Sequence, residues 1–481
     1  MRALPRLGMA LVVLLTWVSI AGAQKWQPLK HQPSFQAGPG VLLTDGTVMM
    51  HEYGGANWWR LTPDNKGSYL NGTWKQLASL PSGYSPLYYA SAVLPDGRVI
   101  VEGGEYNNFQ AVWTNLGAIY DPLTDKWKSV NPPSGWSTIG DAQSVILPNG
   151  TFMLANCCNT EDALLDASKL TWKATGTGKK DRNDEEGWEL LPDKTVLAVD
   201  AINAPLAEKY LFPSGKWVSA GNTVVRLEDP SSQELGPAVL RPDGTVFATG
   251  ANSSGAGHTS VYHPPKPRTK PGKWVPGPDF PNGLSITDGP AALLPSGHVL
   301  CQAGLGLFGA PSHFFEYDGK KLTQVKEPPN APNDPSFVGA MLVLPTGQIL
   351  WTDFSQDVEI YTAKGTFNQN WAPTITTAPS TVTRGQSYSV SGTQFNGLSQ
   401  GAMYGDDAQM ATNFPLVRLT NHSTKHVFYA RTHDHSTMAV ATKGLAVSTT
   451  FDVPGNMETG DSDLQVVANG IPSDPVVVTV Q

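Results

Sequence analysis

"SAVLPDGRVIV" occupies residues 91–101. An apolar run enters the turn Pro95-Asp96-Gly97, and a second apolar run leaves it. Proline presets φ at the first turn corner and glycine supplies a positive φ, so the stretch predicts a β-hairpin. The same phrase returns as "GVLLTDGTVMM" (40–50), "SVILPNGTFML" (144–154), "ELLPDKTVLAV" (189–199), "AVLRPDGTVFA" (238–248), "AALLPSGHVLC" (291–301) and "MLVLPTGQILW" (341–351). That makes seven hairpins. Thr44 stands in the proline slot of the first, and Lys194 in the glycine slot of the fourth.

A third apolar strand follows most hairpins, as in "AIYDP" (118–122), "AEKYLFP" (207–213), "SVYHP" (260–264), "FFEYDG" (314–319) and "VEIYTA" (358–363). A tryptophan phrase then closes the unit: "TWKQL" (73–77), "KWKSV" (126–130), "TWKAT" (171–175), "KWVSA" (216–220) and "KWVPG" (273–277), with "KLTQV" (321–325) a weaker copy. Four strands repeated at roughly 50 residues are the mark of a kelch-like β-propeller, here all-β and seven-bladed. The last unit ends "YTAKGTFNQNW" (361–371) without the tryptophan phrase, whereas "KWQPL" (25–29) stands in front of the first hairpin. We therefore expect residues 25–29 to supply the outer strand of blade 7 and close a ring spanning 24–371. The alternative is a free N-terminal arm. Beyond Trp371 the texture becomes Thr/Ser-rich, with Pro373 and Pro379 marking a linker. The length of 372–481 fits an immunoglobulin-like β-sandwich.

Arg2 and Arg6 precede the apolar run Leu7–Ile20, and Ala21-Gly22-Ala23 offers a cleavage site. Residues 1–23 read as a signal peptide, with the mature chain starting near Gln24. The protein is then secreted and extracellular, with the periplasm or a cell surface as variants. An uncleaved anchor is the competing reading, but the run is short for a bilayer span, and no other segment suggests a transmembrane helix. The net charge of −8 argues against non-specific nucleic-acid binding. Three cysteines are too few for a disulfide scaffold. Cys301 lies in an apolar run and is expected to be buried. The adjacent Cys157 and Cys158 form either a vicinal disulfide or two reduced, half-buried thiols. Glycosylation sequons stand at Asn71, Asn149, Asn252 and Asn421. A monomer is expected.

Seven such blades followed by a β-sandwich resemble the galactose oxidase and glyoxal oxidase family of copper-radical enzymes. "YYASAVLPDGRVIVEGGEY" (88–106) is similar to that family's second blade, and "SITDGPAALLPSGHVLCQAG" (285–304) with "SHFFEY" (312–317) to its sixth. The resemblance implies copper held by two tyrosines and two histidines, with one tyrosine cross-linked to a cysteine. Position by position, the radical tyrosine falls on Tyr88 and is present. Its cysteine partner falls on Gly38, the aromatic stacked on the radical on Tyr106, and the Tyr-His ligand pair on Thr287-Asp288. The remaining histidine belongs to a loop similar to "YGDDAQMATNFP" (404–415), which has none. Thr, Asp and Gly cannot build a thioether-tyrosine radical, so copper is not expected. A copper-dependent carbohydrate or aldehyde oxidase with a rearranged site stays as an alternative.

In a propeller, the starts of the inner strands and the ends of the second strands meet on one face near the axis. The strand starts carry Tyr88, Asp141, Glu185, Glu186, Glu234 and Asp288. The strand ends carry His51, Glu52, Glu105, Asn156, Cys157, Cys158, Asp200 and Asp353. Converging carboxylates suit Ca²⁺ or another hard cation, or the hydroxyls of a carbohydrate at a cell surface. They also suit general acid–base catalysis, and the plain alternative is that they cap backbone amides between blades. Asp406 and Asp407 are expected to point into the channel. His422, His426, His433 and His435 cluster in the C-terminal region, where "THDHST" (432–437) would place His433 and His435 on one side of a strand as a Zn²⁺ or Cu²⁺ pair. Blade loops such as 106–115 and 253–258 offer a third function, protein–protein interaction.

Overall fold

The computed structural model describes residues 24–405 and 410–481. The signal-peptide reading of 1–23 and the reading of Asp406 and Asp407 lie outside the described residues. Among those described, no helix is long and apolar enough to cross a membrane.

Seven four-stranded antiparallel blades form the propeller. Blade 1 runs Ala37–Leu42, Val48–Glu52, Trp58–Thr62 and Thr73–Gln76, and blades 2 to 6 repeat that order from the axis outward. The inner strands are buried on both faces, because each blade is packed between two others. They consequently read as unbroken apolar runs, such as Phe152–Ala155 and Ala340–Val343. The outer strands are mostly exposed, with the tryptophan partly buried against the blade; Lys126–Val130 is an example. The hairpin turns hold their glycines at positive φ, and Lys194 takes the same conformation, at φ 69°.

The repeated tryptophan has a physical role. It faces the third strand of its own blade, with Trp127 opposite Tyr120 and Trp274 opposite Tyr262. Its indole N–H reaches the preceding blade. Trp74 Nε1 donates to His31 O at 2.9 Å, Trp127 to Ala78 O at 2.9 Å, Trp172 to Asn131 O at 2.7 Å and Trp274 to Ala220 O at 3.2 Å. Trp217 instead donates to the Asp162 carboxylate at 2.6 Å. The strand Lys25–Pro28 lies outermost in blade 7 and pairs antiparallel with Val358–Thr362, with Trp26 opposite Tyr361. Trp26 Nε1 donates to Lys326 O at 2.6 Å and so ties blade 7 to blade 6.

Residues from Thr374 onward build a nine-stranded sheet curled around its own apolar core, which includes Val417, Phe451, Leu464 and Val478. This sheet sits against the hairpin turns of the propeller. Thr432 N donates to Thr44 O, Asp434 N to Pro95 O and Met438 N to Pro148 O, at 3.0–3.1 Å. At Gly46, φ is +75° and an added Cβ would lie 2.4 Å from the Tyr429 ring. One segment leaves this sheet and enters the ring. Ala402–Tyr404 pairs with the innermost strand of blade 6, Pro290–Leu293, and Gln400 Oε1 accepts the Leu190 N–H at 2.6 Å.

Candidate functional site: an acidic cavity on the propeller axis

On the face opposite the hairpin turns, the inner strands begin around a cavity of about 210 Å³. Each strand start turns its side chain inward through unusual backbone geometry. Tyr88, Glu185 and Asp288 have φ of 50°, 59° and 46°, and Gly140 (φ 72°) and Gln233 (φ 71°) precede Asp141 and Glu234. Left-handed geometry at non-glycine residues costs about 1 kcal/mol or more each, and such strain gathers at functional sites.

Five carboxyl groups face the cavity: Glu105, Asp141, Glu185, Glu234 and Asp288. Oxygens of Glu185, Glu234 and Asp288 lie within 4.8 Å of one another. Burial, and then the charge of Asp288, pushes Glu234 up to about 10. Burial also drives Glu185 well above the carboxyl range, helped by Asp141 and Glu234. Asp141 is raised by burial and by Glu105, and Glu105 by burial. Crowded like charges of this kind hold on to protons. The charge of Glu105 in turn raises the Tyr106 phenol.

Aromatic rings complete the wall: Tyr88, Tyr106, Phe308, Phe337 and Tyr404. Phe308 is 52% exposed at the mouth and packs edge-on against Phe337. Tyr88 packs edge-on against Tyr106, and its hydroxyl lies 3.3 Å from that of Tyr53.

The structure thus brings Tyr88, Tyr106, Asp141, Glu185, Glu234 and Asp288 to one cavity. It takes Glu186 elsewhere: one residue beyond Glu185 the side chain points into the blade, where Lys179 Nζ binds it at 2.8 Å with no solvent exposure. Phe308, Phe337 and Tyr404 were not among the residues expected from sequence. Phe308 sits in the turn between the second and third strands of blade 6, Phe337 in the segment leading into blade 7, and Tyr404 comes from the C-terminal segment that enters the ring. The only signal for Tyr404 was its place at the head of the loop similar to the family's ligand loop.

His433 and His435 do not lie on one strand: Val427–His433 ends at the first of them, and Asp434 is left-handed (φ 52°), so the strand spacing expected of the pair does not hold. His433 contacts Asp434 and Asp452 at 2.8 and 3.1 Å. His435 is held by Thr449 Oγ1 at 2.9 Å and stacks on Phe414, and burial lowers it to about 3. Cys157 and Cys158 are joined to each other, and Cys301 is free and buried.

Copper does not fit this cavity. Its donor atoms are carboxyl and phenol oxygens, and among the described residues neither histidine nor cysteine lines it. At Gly38, where the cross-linked cysteine would stand, an added Cβ meets His51 O at 3.2 Å and the Tyr53 backbone at 3.5 Å.

No family model matches the chain, and no curated protein does. Among solved structures, a fungal alcohol oxidase of the AA5 family, in complex with copper, is similar over 96% of this chain and 100% of its own. The TM-score is 0.54 at 12% identity. A streptogramin B lyase is similar over 70% of this chain and 97% of its own, with a TM-score of 0.50 at 10% identity. At such identities the likeness establishes the fold, a galactose-oxidase-like propeller, and says nothing of chemistry.

Proposed function

We propose that this is an exported, monomeric propeller that binds a carbohydrate in its axial cavity without copper-radical chemistry. One observation carries the reading: carboxyl groups and aromatic rings wall the same cavity of about 210 Å³. A sugar presents hydroxyls around its ring edge and C–H groups on its faces. Carboxylates accept hydrogen bonds from the first. The rings of Tyr88, Tyr106 and Phe308 supply apolar surface for the second. The cavity is smaller than a drug-sized cleft, so it suits one terminal residue of a glycan.

The test is a glycan array with the full mature chain, followed by two variants. Tyr88→Phe keeps a ring and loses one hydroxyl, so it should weaken a sugar site by about tenfold, the scale of one hydrogen bond. Asp288→Ala should remove most of the binding. A radical oxidase behaves differently: it would release peroxide from a sugar or aldehyde once loaded with copper, and Tyr88→Phe would abolish that release. A protein partner held by loops 106–115 or 253–258 would ignore both substitutions.

A further inference from the structure

In the blade-4 interior one buried acid has a cationic partner. Glu186 is fully enclosed there, and Lys179 neutralises it at 2.8 Å while lying 3.6 Å from Glu208. The axial cavity has more carboxyl groups, and among the described residues no lysine, arginine or histidine lines it. We propose that a hard divalent cation of the calcium type fills this role, held by Glu185, Glu234 and Asp288.

Two independent observations meet in the assignment. The first is geometric. Oxygens of one ion's shell, each 2.3–2.6 Å from calcium, stand at most about 5 Å apart. The three carboxyl groups present oxygens within 4.8 Å of one another, so one ion can touch all three. The second is an unmet polar group. Asp141 lines the same cavity, is only 7% exposed, and keeps Oδ1 without a hydrogen-bond partner. Buried polar atoms of this kind are rare unless an ion or water meets them.

The donor set decides the class of ion. Carboxyl oxygens without nitrogen or sulfur favour calcium, magnesium or manganese over copper or zinc. Calcium takes six to eight oxygens, so three monodentate side chains leave open positions. A vicinal diol of a sugar, or water, completes the shell. The inference rests on the reading of the axial cavity as the binding site and gives that reading a mechanism, in which the ion bridges protein and glycan.

The experiment separates the two. Mature protein is loaded with CaCl₂, desalted and analysed for metal, and calcium binding is titrated by calorimetry. One ion per chain is expected, with at least a tenfold loss of affinity in the double variant Glu234→Gln/Asp288→Asn. Circular dichroism confirms that the variant is folded, and Asp141→Asn serves as a second, milder change. No bound ion, a preference for copper, or full retention of calcium by the double variant would each overturn the inference. Glycan binding is then measured in calcium and in EDTA. Loss in EDTA supports the bridge. Binding unchanged in EDTA removes the cation but leaves the carbohydrate reading. Calcium bound with no glycan captured removes the carbohydrate reading and leaves the cation site standing.

Discussion

Glu185 shows most directly whether the axial acids are placed for binding or for folding. Its backbone is left-handed at φ 59°, and its carboxyl is buried among others of like charge. Both features oppose folding. Replacing it with glycine removes both, so Glu185→Gly should stabilise the cation-free protein by about 1 kcal/mol in denaturant unfolding. A loss of similar size would show that the carboxyl supports the blade. His51 makes a second prediction. It is enclosed against Trp58 and Tyr89, its Nε2–H donates to Gly55 O at 2.8 Å, and burial lowers it from 6.5 to about 4. Folded, it stays neutral where the unfolded chain would protonate. Its contribution is therefore complete above pH 6.5 and declines as the pH falls toward about 4, by about 3 kcal/mol at most. Unfolding at pH 7 and pH 4.5 should show a smaller pH effect in His51→Gln than in the parent. At this scale the sequence was legible wherever a repeat supplied a frame. Asp141, Glu185 and Glu234 could be placed by their offset from a hairpin. Glu186 could not, because a positive φ at Glu185 decides which neighbour faces the axis, and no spacing rule reports that angle.

The tryptophan strand is the element on which the ring depends. Its period was visible in the chain, but the indole hydrogen bond was not, because the acceptor belongs to another blade. Blade 6 is the exception that clarifies the role: Leu322 stands opposite Tyr317 where other blades have tryptophan. Trp26 carries the largest load, since it packs against Phe314, Trp351 and Tyr361 as well as bonding Lys326 O. Trp26→Ala should cost about 3 kcal/mol, the lower end for an aromatic truncated to alanine. Trp26→Phe should recover most of the packing but not the hydrogen bond. Equal losses in the two variants would mean that the indole N–H, and not the ring, secures blade 7.

At the scale of the molecule, the C-terminal sheet and the propeller share one boundary, drawn along the hairpin turns. Gly46 lies on it, with positive φ and the Tyr429 ring where a side chain would go. Gly46→Ala should therefore lower stability by about 2 kcal/mol, combining backbone strain and overpacking. Calorimetry adds a further reading. A single shifted transition means that sheet and propeller unfold together, and a split one means that they do not. This boundary was hidden in the sequence. The Pro-Asp-Gly turns advertise themselves as solvent-facing loops, yet several are covered, and the segment Ala402–Tyr404 passes into the ring to become a strand of blade 6. Nothing in a three-residue strand announces a partner more than a hundred residues earlier.

The N-terminal strand has a consequence for the order in which the protein is made. Lys25–Pro28 emerges from the ribosome ahead of every blade, yet Trp26 meets Lys326 only after 300 further residues have been synthesised. Blades 1 to 6 can assemble as they appear, each beside its predecessor, while the first strand waits with an unsatisfied edge. The contact that closes the ring thus joins its first strand to its last blades, and the circle is sealed after translation of the ring is over. A nascent propeller of this design is an open arc for most of its synthesis, with exposed β-edges at both ends, and the interval before sealing is when it is most vulnerable to joining another chain.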